Sequence, residues 1–543
     1  MLLNSAVYRS LARRSILLTC SPTSVPYIID KFLKIGGSVN RAVYWPLKNG
    51  IQPVGTLLIQ SSSPESLRYT LHKIPSLHCI HCVVNSEGKK SMFRLPMFRI
   101  NSDPSIWPVE NVEKYSSYQY PGRLCVESNL SIRPSVPSSK EMTSILMSCQ
   151  SFDDQVSTFY HLTRLTEQDI LARFVLSDSI EEILGSIFRG TEVSIFGSVL
   201  NGLGSISSDI DLVVKLPLNY DNLQYLCDSK PNCMTSDLFQ TKIISLDPDF
   251  LKNKFLYFLQ RMLRKLDPLG FKYSQVYHGR VPIIHLDRIS ILKVGLDISS
   301  LTESTLINNG ESTHHGTKMA EILHFLTLCI PEIPKSVALI KYLARKLRLT
   351  RNGPNPGFTN FKLISLFINF LQVSNYAPSF IRLQSLIENS IALDSASAFS
   401  VHLHFPDLNP FPSMEDLLGN FLVYVCSIKP CDIIIDLRNG CLTPRLESTD
   451  NEYTDHMITP GKHFILCPDP TYPQCNIWSG INEDHWSKFV QICRVLQDTL
   501  EMQCNKNENS KWGLLALTDL DDCTKSKFVN VSDYYQLVDY FQS

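Results

Sequence analysis

Net charge is nearly absent: 51 Lys and Arg stand against 52 Asp and Glu in 543 residues. This excludes a global electrostatic pull toward nucleic acid, so any such partner has to be held by a local basic patch. Long apolar runs are missing too. Even "FKLISLFINFLQV" falls short of the roughly 18 residues that read as a membrane span, and it carries Lys362. The sixteen cysteines lack ligand spacing. "LHCIHC" gathers His78, Cys79, His81 and Cys82, but no second cluster completes a zinc-like set, and the stretch alternates as a strand. Scattered cysteines fit a reducing compartment better than a disulfide framework. Finally, no acidic residue precedes Asp30.

What is there begins at that acid-free end. "MLLNSAVYRSLARRSILLTCSPTS" sets Arg9, Arg13 and Arg14 among Leu, Ser and Ala, with Leu3, Val7 and Leu11 on one helical face. That is the pattern of a mitochondrial presequence over 1–24, the alternative being a disordered basic tail. The length allows two to four domains, and 44% hydrophobic with 19% charged residues is ordinary for a soluble globular chain. Residues 25–105 read as a small α+β unit: a helix from "VPYIIDKFLKIGG", strands from "RAVYWPL", "GTLLIQ" and "HCIHCVV", and a Ser-capped helix from "SPESLRYTLHKI". Their order predicts a ferredoxin-like or RNA-recognition-like sandwich. It has no clean pair of exposed aromatics for stacking bases, which leaves docking or homodimerisation as the equal alternative. A Pro- and Ser-rich linker spans 106–145. An α+β unit covers 146–300, a mostly helical region 301–505, and a weakly patterned tail 506–543.

The chemistry concentrates in "SIFGSVLNGLGSISSDIDLVV". On a strand, Asp209 and Asp211 share one face while Ile210, Leu212 and Val214 share the other. Burying unpaired carboxylates is costly, so that face is wet or opposed by positive charge. Two carboxylates about 6–7 Å apart along a strand suit metal ions about 3.5–4 Å apart. In "ILKVGLDIS" the alternation of Leu292, Val294, Leu296 and Ile298 puts a third carboxylate, Asp297, on the non-core face. Gly197-Ser198 ends the preceding strand, where glycine admits a phosphate close to backbone and the hydroxyl can bond to it. Gly202 and Gly204 do not form a dinucleotide fingerprint, because the third glycine and following helix are missing.

These residues resemble the DNA polymerase β-like nucleotidyltransferases, specifically the non-canonical poly(A) and poly(U) polymerases. "FGSVLNGLGSISSDIDLVV" is similar to their Gly-Ser and Asp-x-Asp signature, and "GRVPIIHLDRISILKVGLDIS" to the segment ending in their third aspartate. "SVALIKYLARKLRLT" with "NPGFTNFKLISLFINFLQ" resembles their central helical domain; together with the presequence and small N-terminal domain it is most similar to mitochondrial poly(A) polymerases. The resemblance covers roughly 150–500. It implies an α+β fold: a palm with a mixed sheet, then a helical domain, after a small ferredoxin- or RRM-like domain.

It also implies that Asp209 and Asp211 hold two Mg²⁺ or Mn²⁺ ions, that Asp297 holds the one activating the RNA 3′-hydroxyl, and that Ser198 touches a phosphate. Lys341, Arg345 and Arg348 recur at i, i+4 and i+7 opposite Leu339, Leu343 and Leu347. A solvated basic face is the commoner use of that spacing; the resemblance makes Lys341 and Arg345 phosphate-binding cations, with Arg348 and Arg351 extending the field toward RNA. Phe361 would stack on the base, with Thr359 and Asn360 beside ribose and triphosphate. Two departures stand out. Thr471 follows Asp469-Pro470 where relatives carry Phe, with Asn476 shortly after. "SLTEST" separates Asp297 from Asn308-Asn309, which relatives place closer for ribose. The expected activity is addition of AMP from ATP to RNA 3′ ends in the mitochondrial matrix. The alternatives are a terminal uridylyltransferase, or an inactive RNA-binding or dimerisation scaffold.

Overall fold

The computed structural model describes residues 5–35, 38–47, 54–73, 79–84, 90–95, 100–101, 130–132, 136–185, 190–217, 255–277 apart from 262 and 265–270, 282–303 apart from 290, 291 and 293, 315–350, 357–392, 405–445 apart from 406, 463–502 and 512–518. His78, Asn308, Asn309 and Arg351 lie outside the described residues, as does most of the expected linker and tail.

The chain opens with α1 (Ser5–Ala12), β1 (Ser15–Cys20), α2 (Val25–Lys34), β2 (Arg41–Leu47), β3 (Val54–Gln60) and α3 (Pro64–His72). A hairpin of β4 (Cys79–Val84) and β5 (Lys90–Leu95) precedes β6 (Ile100–Asn101) and β7 (Leu130–Ile132). The sheet order is β6-β1-β3-β2-β7, with β6 parallel to β1 and β1 antiparallel to β3. Apart from β7 and the inserted hairpin, this is the βαββαβ ferredoxin-like arrangement.

Its first strand is "SILLTC", inside the segment expected to be a presequence. All six residues are buried. Ile16, Leu18 and Cys20 pack under α2 and α3, whereas Leu17, with Val43 and Leu58, joins the core of the next domain. A strand covered on both faces reads as a continuous apolar run rather than an alternating one. The expected boundary at residue 24 therefore falls within the fold, and the domain includes residues 5–24. The sheet face that an RNA-recognition domain would offer to bases is the one packed on the next domain.

α4 (Ser139–Met147), α5 (Phe152–Thr163) and α6 (Glu167–Gly185) follow. α6 is buried around most of its circumference because it lies between two sheets: α1 and β1 on one side, β8 (Glu192–Phe196) on the other. Tyr8 stacks on Phe174 at 5.3 Å, Trp45 Nε1 donates to Asp169 Oδ1 at 3.1 Å, and Arg9 donates to the Val193 carbonyl at 3.0 Å. The N-terminal domain is thus joined to the second sheet by stacking, hydrogen bonds and a shared apolar core.

That sheet adds β9 (Ile210–Pro217), β10 (Gln275–Tyr277), β11 (Ile283–Leu286) and β12 (Leu296–Glu303), in the order β10-β11-β12-β9-β8. β12 and β9 are parallel and the other pairs antiparallel. The helical region comprises α7 (His315–Cys329), α8 (Glu332–Lys346), α9 (Asn360–Val373), α10 (Phe380–Ala392) and α11 (Met414–Ser427). It is completed by β13 (Ile433–Asp436), β14 (Cys441–Pro444), β15 (Pro468–Asp469), β16 (Tyr472–Asn476), α12 (Glu483–Met502) and α13 (Leu514–Thr518).

Two expected boundaries move. Leu146, Phe152 and Val156 of α4 and α5 share the core of α7–α12, not that of the sheet. So do Leu514, Leu515 and Leu517, within the expected tail. The helical domain is built from chain on both sides of the sheet, and the two domains wall a cleft. Among the described residues no single helix is long and apolar enough to cross a membrane.

Candidate active site

Sheet register assembles the site. β12 lies parallel to β9 with Asp297 directly beside Asp211, β11 sets His285 beside Asp297, and β8 sets Phe196 beside Asp211. Four strands thus carry one row: His285, Asp297, Asp211, Phe196. Neighbouring strands are about 4.8 Å apart, so carboxylates far apart in sequence become lateral neighbours. The alternate residues Ile210, Leu212, Leu296 and Ile298 are fully buried, which turns Asp211 and Asp297 to the other face, into the cleft. Asp209 sits just before β9 begins, and its Oδ1 accepts from Gly295 N at 3.1 Å.

Two glycines make room for these carboxylates. Gly197 has φ +68°, and a Cβ there would overlap Asp211 Oδ2; a Cβ on Gly295 would overlap Asp209 Oδ1. Gly197 is required twice over, by its left-handed backbone and by the close carboxylate. The Ser198 backbone N–H donates to Asp211, and Ser198 itself lines the cleft.

The carboxylates are uncomfortable together. Burial raises the Asp209 pKa, and the neighbouring Asp297 raises it further. Asp211 is pushed up to about 8, first by burial, then by Asp297 and Asp209. Three carboxylates converging on an open cleft are an all-oxygen donor set of the kind Mg²⁺ prefers, leaving further positions to water and substrate phosphate. Among the described residues no three His, Cys, Asp or Glu side chains stand close enough together to hold an ion by themselves, so an ion here would also need oxygens from water or substrate.

His285 faces the same group. It donates from Nδ1 to Asp297 Oδ1 at 2.5 Å and from Nε2 to Asp287 Oδ1 at 2.7 Å. The hydrogen bond to Asp297 is the main cause that raises its pKa to about 9.

These shifts fix a sign for stability in the absence of metal. His285, raised above 6.5, contributes fully below that value and loses its contribution as pH rises through about 9. Asp211, raised above 3.8, favours the fold when protonated, and that contribution also fades as pH rises through about 8. Burial lowers Lys341 to about 8, which acts in the opposite direction only above that pH. Calorimetry in chelator is expected to show the melting temperature falling between about pH 6 and about pH 8. A rise across that window would refute this assignment.

The opposite wall is basic. Lys341, on α8, donates from Nζ to the Leu203 carbonyl at 3.0 Å, and Arg345 Nη1 donates to Ser207 Oγ at 3.3 Å. Both line the cleft, and Leu339, Leu343 and Leu347 are buried behind them. Arg348 is not on the same helical face as expected. α8 ends at Lys346, and Arg348 takes a left-handed φ of 54° while Leu349 N bonds back to the Ala344 carbonyl. This is a helix C-cap usually taken by glycine, and it turns Arg348 to the cleft by a separate route.

Asn360 and Phe361 open α9 on the cleft, and Phe361 stays 39% exposed. Thr359, just before them, is the N-cap of α9: its hydroxyl accepts from Lys362 N at 3.3 Å. Asp469 lines the cleft, its Oδ1 accepting from Thr471 N and Oγ1 and from Tyr472 N. Asn476 is buried and serves the backbone, accepting from Cys467 N and Trp478 N and donating to the Ile465 carbonyl.

Sequence reasoning missed His285, Gly295 and Tyr472. His285 had a signal: in "VPIIHLD" it is the polar residue between Ile284 and Leu286, on the face opposite theirs.

Residues 152–309 match the family model described as "Poly(A) RNA polymerase, mitochondrial-like, central palm domain". This sheet is similar to the palm that the model describes. The chain is 22% identical over 401 residues to the mouse protein named poly(A) RNA polymerase, mitochondrial, and 23% identical over 392 residues to the human one. Each alignment takes in 70% of this chain and 62% of the relative, so the chain spans about three fifths of those relatives' length. The crystal structure of mtPAP in complex with ATPγS superposes with a TM-score of 0.66 at 16% identity, over 95% of this chain and 98% of that one. The mtPAP complex with UTP gives 0.66 at 17% identity, over the same shares. The pair thereby share an α+β fold with a palm-like sheet and a helical domain.

Proposed function

We propose that this chain is a template-independent RNA nucleotidyltransferase that adds AMP from ATP to RNA 3′ ends in the mitochondrial matrix. The observation carrying the proposal is the Asp211–Asp297 register, with Asp209 beside it, facing Lys341 and Arg345 across one cleft. Relatives named mitochondrial poly(A) RNA polymerase support both the reaction and the compartment.

Asp209, Asp211 and Asp297 would hold two Mg²⁺ or Mn²⁺ ions. When bound, the ions would supply Lewis-acid activation of the 3′-hydroxyl and charge neutralisation on the triphosphate. The chain's own residues do the positioning. The Ser198 N–H and Gly295 N–H fix Asp211 and Asp209 from the backbone, so neither carboxylate needs reorganising when substrate arrives. Lys341 and Arg345 hold the triphosphate from the helical wall, and Phe361 offers a face to the base. Asn360 would lie beside the sugar and phosphates, and the Ser198 hydroxyl would bond to a phosphate oxygen; both residues line the cleft. A homodimer through the N-terminal domain belongs to the same proposal. Both faces of that sheet are covered, so the contact would use its edges or the β4–β5 hairpin.

Single-turnover extension of an oligo(A) primer with each nucleoside triphosphate tests the reading. ATP is expected to be used at least about tenfold faster than UTP, a difference of about 1.4 kcal/mol in the barrier. Preferential UTP use would move the assignment to a terminal uridylyltransferase. No extension with any triphosphate would favour a scaffold.

A further inference from the structure

We propose that His285 is a positioning residue for the reaction, fixing the Asp297 carboxylate through Nδ1 while Asp287 aligns the imidazole through Nε2. This rests on the reading of Asp297 as a metal-holding carboxylate.

The backbone places the pair before any side chain is considered. His285 and Asp297 are cross-strand partners in the β11–β12 ladder, and the flanking Ile284 and Leu286 are buried in the core beneath. Alternation therefore sends His285 to the cleft face beside Asp297. The histidine cannot swing away: its side chain is 7% exposed, and the Tyr277 ring packs over it with centroids 5.4 Å apart. Its two ring nitrogens face two different carboxylates, so the ring plane is fixed at both ends.

Asp297 is held differently from the other two carboxylates. Asp209 is tied by Gly295 N–H and Asp211 by Ser198 N–H, each a backbone donor. For Asp297 the donor is a side chain from the neighbouring strand. Holding Oδ1 restricts the rotamer of a carboxylate that lines the cleft and leaves Oδ2 outside that bond. A carboxylate that must meet a metal in one orientation benefits from such an outer partner, whose loss typically costs 10- to 100-fold in metal affinity or activity. Asp287 is 95% exposed and contributes no packing. Its bond to Nε2 makes sense as alignment of the ring rather than as support of the core.

The test uses the full chain and Mn²⁺ as probe, with free Mn²⁺ read by electron paramagnetic resonance, alongside kcat and KM for ATP. His285→Ala is expected to weaken Mn²⁺ binding about tenfold and to lower kcat by a similar factor, with KM for ATP within about twofold. His285→Asn carries its amide nitrogen near the place of Nδ1 and is expected to recover both to within about threefold of wild type. Asp287→Ala, a surface change that leaves the fold intact, is expected to fall between. Wild-type Mn²⁺ affinity in His285→Ala, or an Asn variant no better than the Ala variant, would overturn the proposal. If His285→Ala does not fold, Asp287→Ala decides: unchanged Mn²⁺ affinity overturns it. Should the wild-type chain transfer no nucleotide at all, the proposed activity fails, while the Mn²⁺ comparison still decides the role of His285.

Discussion

Asp211→Asn is expected to lower RNA extension on the order of 10³-fold, the scale of losing one well-placed charge from a preorganised site. That is about 4 kcal/mol of transition-state stabilisation. The carboxamide keeps an oxygen for the Ser198 N–H, so the strand and its Gly197 turn stay in place. What it removes is the charge. The same change should raise the melting temperature at about pH 8 and above, because a carboxylate that burial and its neighbours hold at a pKa of about 8 no longer has to ionise inside the fold. Activity and stability should therefore move in opposite directions. Single-turnover extension with Mg²⁺ and calorimetry in chelator, on one preparation, check both. A variant keeping more than about a tenth of wild-type extension would remove Asp211 from its assigned role.

A chain shortened to begin at Val25 is expected to give no soluble, cooperatively melting protein. It would lack β1, which hydrogen-bonds to β3 over six residue pairs and to β6 on its other side. It would also lack α1, with the Tyr8 stack and the Arg9 bonds to Val193 and Ser194. Ile16, Leu17 and Leu18 are fully buried. At about 1.5–3 kcal/mol each, these three alone approach the whole stability of a typical domain. A chain beginning at Ser5 should melt like the intact one. Gel filtration and circular dichroism distinguish the outcomes, and a chain from Val25 that elutes and melts as the intact one does would show that β1 is dispensable.

The three aspartates were legible because strand alternation is local. Ile210, Leu212 and Val214 declare one face of β9, and the carboxylates must take the other. The register that makes Asp211 and Asp297 neighbours was not legible, since it is set by pairing between strands far apart in the chain. β1 was misread for a related reason. Its second face is apolar only because α6 of another domain covers it, and the arginines just before it pointed to a targeting segment. Two of those arginines have tertiary partners in the next domain: Arg9 reaches Val193 and Ser194, and Arg13 lies 3.5 Å from Asp178. The spacing of Lys341, Arg345 and Arg348 was equally persuasive on paper. It failed at the third member, because α8 ends at Lys346 without a glycine and places an arginine in the left-handed cap. Asp469 and Asn476 look alike in the sequence as polar candidates; only tertiary contacts put the first on the cleft and the second in the backbone network behind it.

One bond carries a consequence for how the molecule is born. The Gln155 amide oxygen accepts from Leu514 N at 2.7 Å, joining α5 to α13 across 359 residues of chain. At the usual 5–20 residues per second of synthesis, α5 waits roughly 20–70 s on the ribosome for that partner. The palm sheet is complete once β12 has emerged and can fold during the wait. α5 meets α8 and α11 on the way, but the apolar side that α4 and α5 turn to α13 has nothing to cover it until that last helix arrives. The nascent chain therefore passes through a stage with a finished sheet and a helical half that still lacks its closing helix, and a stop just before Leu514 would leave that apolar face open for good.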